Sequence, residues 1–229
     1  MTLMEILMVL AIFTLVTGGV VMGSGQLAGA RLKQSAALLT GAVKVAYTRA
    51  TATSKTLRLV LDFDTETIWL EESATPGLVQ TKDTTGTGGA DPVTVAEQAA
   101  VQEGDRIIKG PRAPRPHFSA ITSGEMGEKD EGGKFSKPLA RGIKFREVQT
   151  AHDDQPRKEG RAYLYFWPGG QTERASIQLK VGEANEEKDA ITLLVAPLTA
   201  KVTVKDGAVV VPKPIDDKES SDREDPGAF

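Results

Sequence analysis

One carboxylate, Glu5, is the only charge among the first thirty residues, which open Met1-Thr2-Leu3-Met4-Glu5 and continue Ile6-Leu7-Met8-Val9-Leu10-Ala11-Ile12-Phe13. From Ile6 to Met22 only two Thr and two Gly interrupt the apolar run. As a helix rising about 1.5 Å per residue, that stretch measures roughly 25 Å, just enough to cross a bilayer. A carboxylate costs roughly 2.5 kcal/mol or more at the bilayer centre and less near its edge. A chain that carries one there needs a partner for it. A secretory signal peptide does not account for the pattern, because no basic residue precedes the apolar run. A generic single-pass anchor accounts for the hydrophobicity but not for Glu5.

The helix is expected to continue beyond the apolar stretch. Leu32, Ala36, Leu39, Val43, Ala46, Tyr47 and Ala50 recur at three- and four-residue steps and form one apolar face. Arg31, Lys33, Lys44, Arg49 and Lys55 lie off that face and are the first cations after the span. If exported, they run against the positive-inside bias. The expected division is a membrane-spanning half over 1–26 and an amphipathic half over 27–54. Gly18, Gly19, Gly23 and Gly25 lie between the halves, and each costs a helix interior up to about 1 kcal/mol relative to Ala. They predict local weakness, centred on Gly18 and Gly19. Gly19 and Gly23 also have the G-x-x-x-G spacing that lets membrane helices approach closely, and the two roles are compatible.

After Ser54 the period changes from helical to alternating. Leu57, Leu59, Leu61 and Phe63 point one way and Arg58, Val60 and Asp62 the other, which predicts a strand with one buried face. Asp64-Thr65 turns the chain into Ile68-Trp69-Leu70, completing a hairpin. Further strands are expected at Gly142–Val148, Ala162–Trp167, Ala175–Leu179, Ile191–Val195 and Lys201–Val204. Pro168-Gly169-Gly170 supplies one turn, and Lys205-Asp206-Gly207 is expected to lead into Ala208–Val211 as a last hairpin arm. The fold class is therefore α+β, a long N-terminal helix followed by an antiparallel β-sheet or β-sandwich domain over 55–211. Residues 73–137, rich in Gly, Thr, Pro, Asp, Lys and Glu, read as a loop insertion whose apolar islands at Val93–Ala96, Arg106–Lys109 and His117–Ile121 add edge strands at most. Residues 212–229 carry six acidic and three basic residues with three prolines, and read as a disordered acidic tail.

No enzyme constellation is present in the sequence. Gly133-Lys134 imitates a phosphate loop, but Glu128 stands where Gly is needed and Phe135 where Ser or Thr is needed. His117 and His152, the only histidines, fall far apart in polar stretches with no evident partners for zinc or general-base work. Asp62, Asp64 and Glu66 alternate as a calcium loop would, yet Thr67 and Ser73 occupy positions where Gly and Glu are required. Lys109, Arg112 and Arg115 among prolines read as a solvated loop. The 229 residues contain no cysteine, which excludes disulfides, thiol catalysis and cysteine-bound metal. A net charge of -3 gives no general attraction for nucleic acid. No catalytic residue, cofactor or metal is expected. A membrane-anchored binding module that uses the insertion as its site is the alternative from another functional class.

Thr2, Leu3 and Glu5 before a long apolar helix resemble the mature N-terminus of type IV pilins and pseudopilins. The order of a long helix to about Ala50, a hairpin and, later, a Phe166-Trp167-Pro168-Gly169-Gly170 strand and turn resembles the GspH/FimT group of minor pseudopilins and minor pilins; the resemblance does not extend to the 73–137 insertion or the tail. The resemblance implies that a prepilin peptidase exposes Met1, which is then N-methylated, and that Glu5 with Met1 and Thr2 registers neighbouring subunits. It implies a helix zone, here Gly18 and Gly19, that loosens when the subunit leaves the bilayer. It implies other minor and major pseudopilins, an inner-membrane assembly platform and the lipid bilayer as partners. The β domain is then periplasmic, in a type II secretion pseudopilus or, alternatively, a type IV pilus used in motility, adhesion or DNA uptake.

Overall fold

A computed structural model describes residues 3–75, 77, 79, 84–107, 114–121, 128–129, 135–182 and 189–209, with backbone only over 15–26, 107 and 128–129. One uninterrupted helix, α1, runs Leu3–Thr53. At 1.5 Å per residue it is roughly 75 Å long, far more than the diameter of a small domain. Ser54 ends it in the left-handed conformation at φ 54°, the usual way a helix hands over to another direction. Glu72 then pins the exit, its carboxylate reaching Lys55 at 2.7 Å and Arg49 at 3.6 Å.

Among the described residues eleven short strands follow, all in antiparallel pairs. The strands β1 (Thr56–Asp62), β2 (Thr67–Ser73), β3 (Ser119–Ala120), β4 (Glu128–Lys129), β5 (Phe135–Pro138), β7 (Arg161–Trp167) and β8 (Gln171–Thr172) make one sheet. Its order is β4-β5-β2-β1-β7-β8, with β3 beside β2. The strands β6 (Ile143–Thr150), β9 (Ala175–Val181), β10 (Ala190–Val195) and β11 (Val202–Asp206) make a second, in the order β11-β10-β9-β6. The expected β1–β2 hairpin is present, closed because Asp62 Oδ1 accepts from the amides of Asp64 and Thr65 at 3.0 and 3.1 Å. Gly170 closes the next turn at φ 74°, where a β-carbon would stand 3.2 Å from the Tyr47 hydroxyl on α1.

The main core lies where the second half of α1 meets the inner faces of both sheets. Leu32, Ala36, Leu39, Val43, Ala46 and Ala50 are buried there with Leu57, Leu59, Leu61, Leu164, Phe166, Ile177, Leu179 and Leu193. The expected helical face is the face observed, with Tyr47 half-buried at its margin. Ala36, Ala42, Ala46 and Ala50 keep the helix close to the sheets, so the larger residues among them interlock.

Three expectations are corrected. The strand β1 is buried on both faces, not one, because the insertion covers the face that carries Arg58 and Val60. Within that insertion lies a 13-residue helix, α2 (Val95–Ile107), where composition predicted loop. A capping box starts it: the Glu97 amide donates to Thr94 Oγ1 at 3.2 Å, and Glu97 Oε2 accepts from the Thr94 amide at 3.0 Å. Finally, Lys205-Asp206 is strand rather than turn, since Asp206 pairs with Ile191. After Gly207 the chain crosses the outer face of the second sheet, where the Val209 amide donates to Thr192 Oγ1 and Gln178 donates to the Val209 carbonyl. Val210, Val211 and the tail 212–229 lie outside the described residues.

Because Leu39 is fully buried between α1 and both sheets, Leu39→Ala is expected to cost roughly 2–5 kcal/mol, measured as a lowered urea midpoint. An unchanged midpoint would mean that α1 does not pack there.

Candidate functional site: an uncovered apolar helix and a buried ionic layer

The first turns of α1 bury nothing. Leu3, Met4, Met8 and Phe13 are exposed at 78, 80, 70 and 69%, and Ile6, Leu7, Val9, Leu10 and Ile12 at about half. Glu5 stands exposed in the first turn, where a negative charge complements the helix dipole. Met1 and Thr2 lie outside the described residues, so their expected place beside Glu5 has no geometry here. The Thr14 hydroxyl is satisfied within the helix, donating to the carbonyls of Leu10 at 3.0 Å and Ala11 at 2.9 Å. The backbone stays helical through Gly18 and Gly19. Among the described residues no helix is long and apolar enough to cross a membrane. The expected span includes residues 15–26, whose side chains lie outside the description.

This helix end differs from the rest of the molecule in one physical respect. A helix that is apolar all round is stable only when it is buried on all sides. Exposed patches larger than a few hundred Å² mark membrane or protein contacts. The arrangement presents a continuous exposed apolar surface with one carboxylate near its tip.

A second cluster, hidden in the β domain, was not visible in the sequence reading. Arg58 on β1 is buried, its Nε donating to Glu71 Oε2 at 2.7 Å and its Nη2 lying 2.6 Å from the same oxygen. These two residues face each other across β1 and β2. The guanidinium is sandwiched between Tyr163 and Phe118, 4.3 and 4.4 Å from the ring centroids. Burial alone would lower its pKa, but Glu71 with Tyr165 and Tyr163 outweighs that and raises it, so Arg58 stays charged. Glu71 also accepts from Trp69 Nε1 at 2.8 Å. The Tyr163 hydroxyl donates to Glu97 Oε1 at 2.7 Å, and burial followed by the nearby Glu97 charge pushes its pKa well above the ordinary value. One carboxylate, Glu97, thus both caps α2 and ties it to the sheet.

His152 belongs to the same layer, against expectation. It is fully buried, with Nδ1 2.7 Å from Glu173 Oε2 and its ring edge-on to Tyr165. Glu173 also accepts from the Tyr165 amide, and Tyr165 donates its hydroxyl to the Thr87 carbonyl. Asp153 holds Arg157 at 3.2 Å, and Gly86, at φ 71°, lets that guanidinium lie against the backbone, since a β-carbon would overlap it. His152, Glu173, Tyr165 and Asp153 are buried and Arg157 is half-buried, and together they bolt the insertion onto the sheet. The alternation at β1 was the available signal, because Arg58 beside Val60 on the second face demands cover.

The remaining candidates are dispersed. His117 is exposed, 3.6 Å from Asp91. Asp62, first of the alternating carboxylates, is committed to the β1–β2 turn and to Arg161 at 3.1 Å, while Glu66 accepts from the Phe145 amide at 2.9 Å. Arg115 pairs with Asp105 at 3.3 Å, and Lys109 and Arg112 lie outside the described residues. Among the described residues no group of three His, Cys, Asp or Glu could hold a metal ion.

Removing one partner of a buried pair strands the other charge. Arg58→Ala is expected to cost roughly 3–5 kcal/mol, whereas the combined Arg58→Met and Glu71→Leu change should recover most of that loss. Denaturant unfolding of both variants checks this; equal losses would refute the pairing.

No protein-family model matches the chain, and no curated protein matches it. Among solved structures, the chain is similar to two of the minor pseudopilin EpsH from the type 2 secretion system of Vibrio cholerae. One is 9% identical, covers 79% of this chain and 99% of its own, and gives a TM-score of 0.44. The other is 10% identical, covers 79% and 97%, and gives 0.43.

Proposed function

We propose that this chain is a minor pseudopilin, a subunit of the periplasmic pseudopilus of a bacterial type II secretion system, with a structural role in protein export and a place in the tip complex. The observation that carries the reading is the uncovered apolar end of α1 with Glu5 in its first turn, preceded by Met1-Thr2-Leu3. Before assembly that end lies in the inner membrane as a single span, with the β domain in the periplasm. On assembly it exchanges lipid for the helices of other minor and major pseudopilins at the assembly platform.

Glu5 gives that exchange a direction. In lipid its charge has no partner, and in the filament the N-terminal amine of a neighbouring Met1, methylated after peptidase processing, neutralises it. A buried charge left alone costs far more than a paired one, so only the register that pairs them is stable. Apolar packing around it is nonspecific along the axis; the pair supplies the step. Gly18 and Gly19 allow the helix to loosen between its two halves as it leaves the bilayer. The buried ionic layer has no part in this chemistry, and the reading assigns the chain no catalytic activity and no cofactor.

Glu5→Ala is expected to leave the denaturant midpoint of the β domain unchanged and to abolish co-assembly with the other subunits and secretion. Normal co-assembly in that variant would sink the role given to Glu5. Co-purification of residues 27–229 with minor pseudopilin domains rather than minor pilin domains separates secretion from a type IV pilus, which shares every N-terminal feature.

A further inference from the structure

The cations that open the second half of α1 have no task in the assembly just described. Arg31 and Lys33 are both exposed, and they flank Leu32, which is buried against the domain. Two residues apart on a helix point to different flanks, about 200° round the axis. The two charges therefore stand on either side of the helix just where it begins to pack on the sheets. No acidic residue follows Glu5 anywhere in α1, so no carboxylate one turn away along the helix can neutralise them.

Their height along the axis is informative. Arg31 and Lys33 lie roughly 13 and 16 Å past Met22, the last residue of the apolar run, and Lys44 lies roughly 33 Å past it. With the apolar run centred in a hydrocarbon core about 30 Å thick, the headgroup zone extends several ångströms beyond. Long cationic side chains bend back toward that zone while their stems stay on apolar surface. Arg31 and Lys33 reach it; Lys44 stands more than a Debye length away, about 8 Å at physiological salt.

We propose that Arg31 and Lys33 form a cationic collar that binds the headgroups of anionic phospholipids in the outer leaflet of the membrane holding α1. The inference rests on the bilayer reading of the apolar helix end and adds to it a lipid class and two residues. It also gives a physical reason for cations on the exported side, against the usual charge bias. Each basic residue close to an anionic surface is worth about five-fold in association. The collar would hold the subunit upright with its domain clear of the membrane until assembly draws it out.

The chain contains no cysteine, so Leu27→Cys, at a position 60% exposed, gives a single labelling site beside the collar. The full chain carrying a fluorophore there is reconstituted in phosphatidylcholine vesicles containing equal trace fractions of spin-labelled phosphatidylglycerol or spin-labelled phosphatidylcholine. The expected result is stronger quenching by phosphatidylglycerol, a preference that drops about five-fold on Arg31→Gln or Lys33→Gln and is unchanged on Lys44→Gln. Equal quenching by the two lipids overturns the collar while leaving the bilayer reading intact. Quenching by neither overturns both. A double variant that keeps its lipid preference but loses co-assembly assigns the two cations to an acidic subunit surface and overturns the proposal.

Discussion

Everything in this molecule depends on one helix that buries its second half and leaves its first turns, Leu3 to Phe13, bare. From Leu32 to Ala50 the apolar face of α1 is consumed by two sheets, and its alanines let them close in. From Leu3 to Phe13 the same helix has apolar residues on all sides and no sheet to cover them. The domain cannot slide along to cover both, because β1 begins at Thr56, directly after the helix ends at Thr53. Among the described residues nothing covers this end, and exposed apolar surface of that kind marks contacts with a membrane or another protein. A domain that had solved its own burial would have no use for this length.

The second constraint is the insertion. A sheet with Arg58, Glu71, Tyr163 and Tyr165 on its outer face cannot leave them in contact with an apolar cover, nor bury them without partners. The insertion answers with Phe118 against the guanidinium, Glu97 for the Tyr163 hydroxyl and the Thr87 carbonyl for Tyr165. These are directional contacts, each with one geometry. An apolar cover of equal area would hold the insertion as firmly but in many positions; this one specifies a single docking, the role buried polar groups play where they set register.

Much of the fold was legible because its signals are periodic. The helical face at Leu32, Leu39 and Val43 and the alternation at Leu57, Leu59 and Leu61 depend only on the spacing of large apolar residues, and the structure buries all of them. The helix α2 was not read, though Thr94 and Glu97 spell a capping box, because Gln98, Gln102, Glu103 and Asp105 leave it with little apolar signal after the cap. The partners of His152 were unreadable for a different reason. Glu173 lies 21 residues away and meets it only after the chain has passed between the two sheets. Sequence distance carries no information about such a pair. At the N-terminus the position reverses: Glu5 stood out at once because its neighbours are all apolar, and the structure shows how completely they are left uncovered.

On the proposed reading, the contrast between the two halves of α1 also separates two kinds of energy. The half beneath the sheets is held by close packing, which is stiff and penalises any displacement. The bare half is held by whatever apolar medium it meets, and lipid tails and neighbouring helices offer nearly the same burial. Moving from one to the other then costs little hydrophobic free energy, so small directional terms decide the outcome. A lone carboxylate seeking an amine at one end and two cations releasing headgroups at the other are terms of that size. The subunit can be held firmly in the membrane and still leave it, because what anchors it is exchanged and not lost.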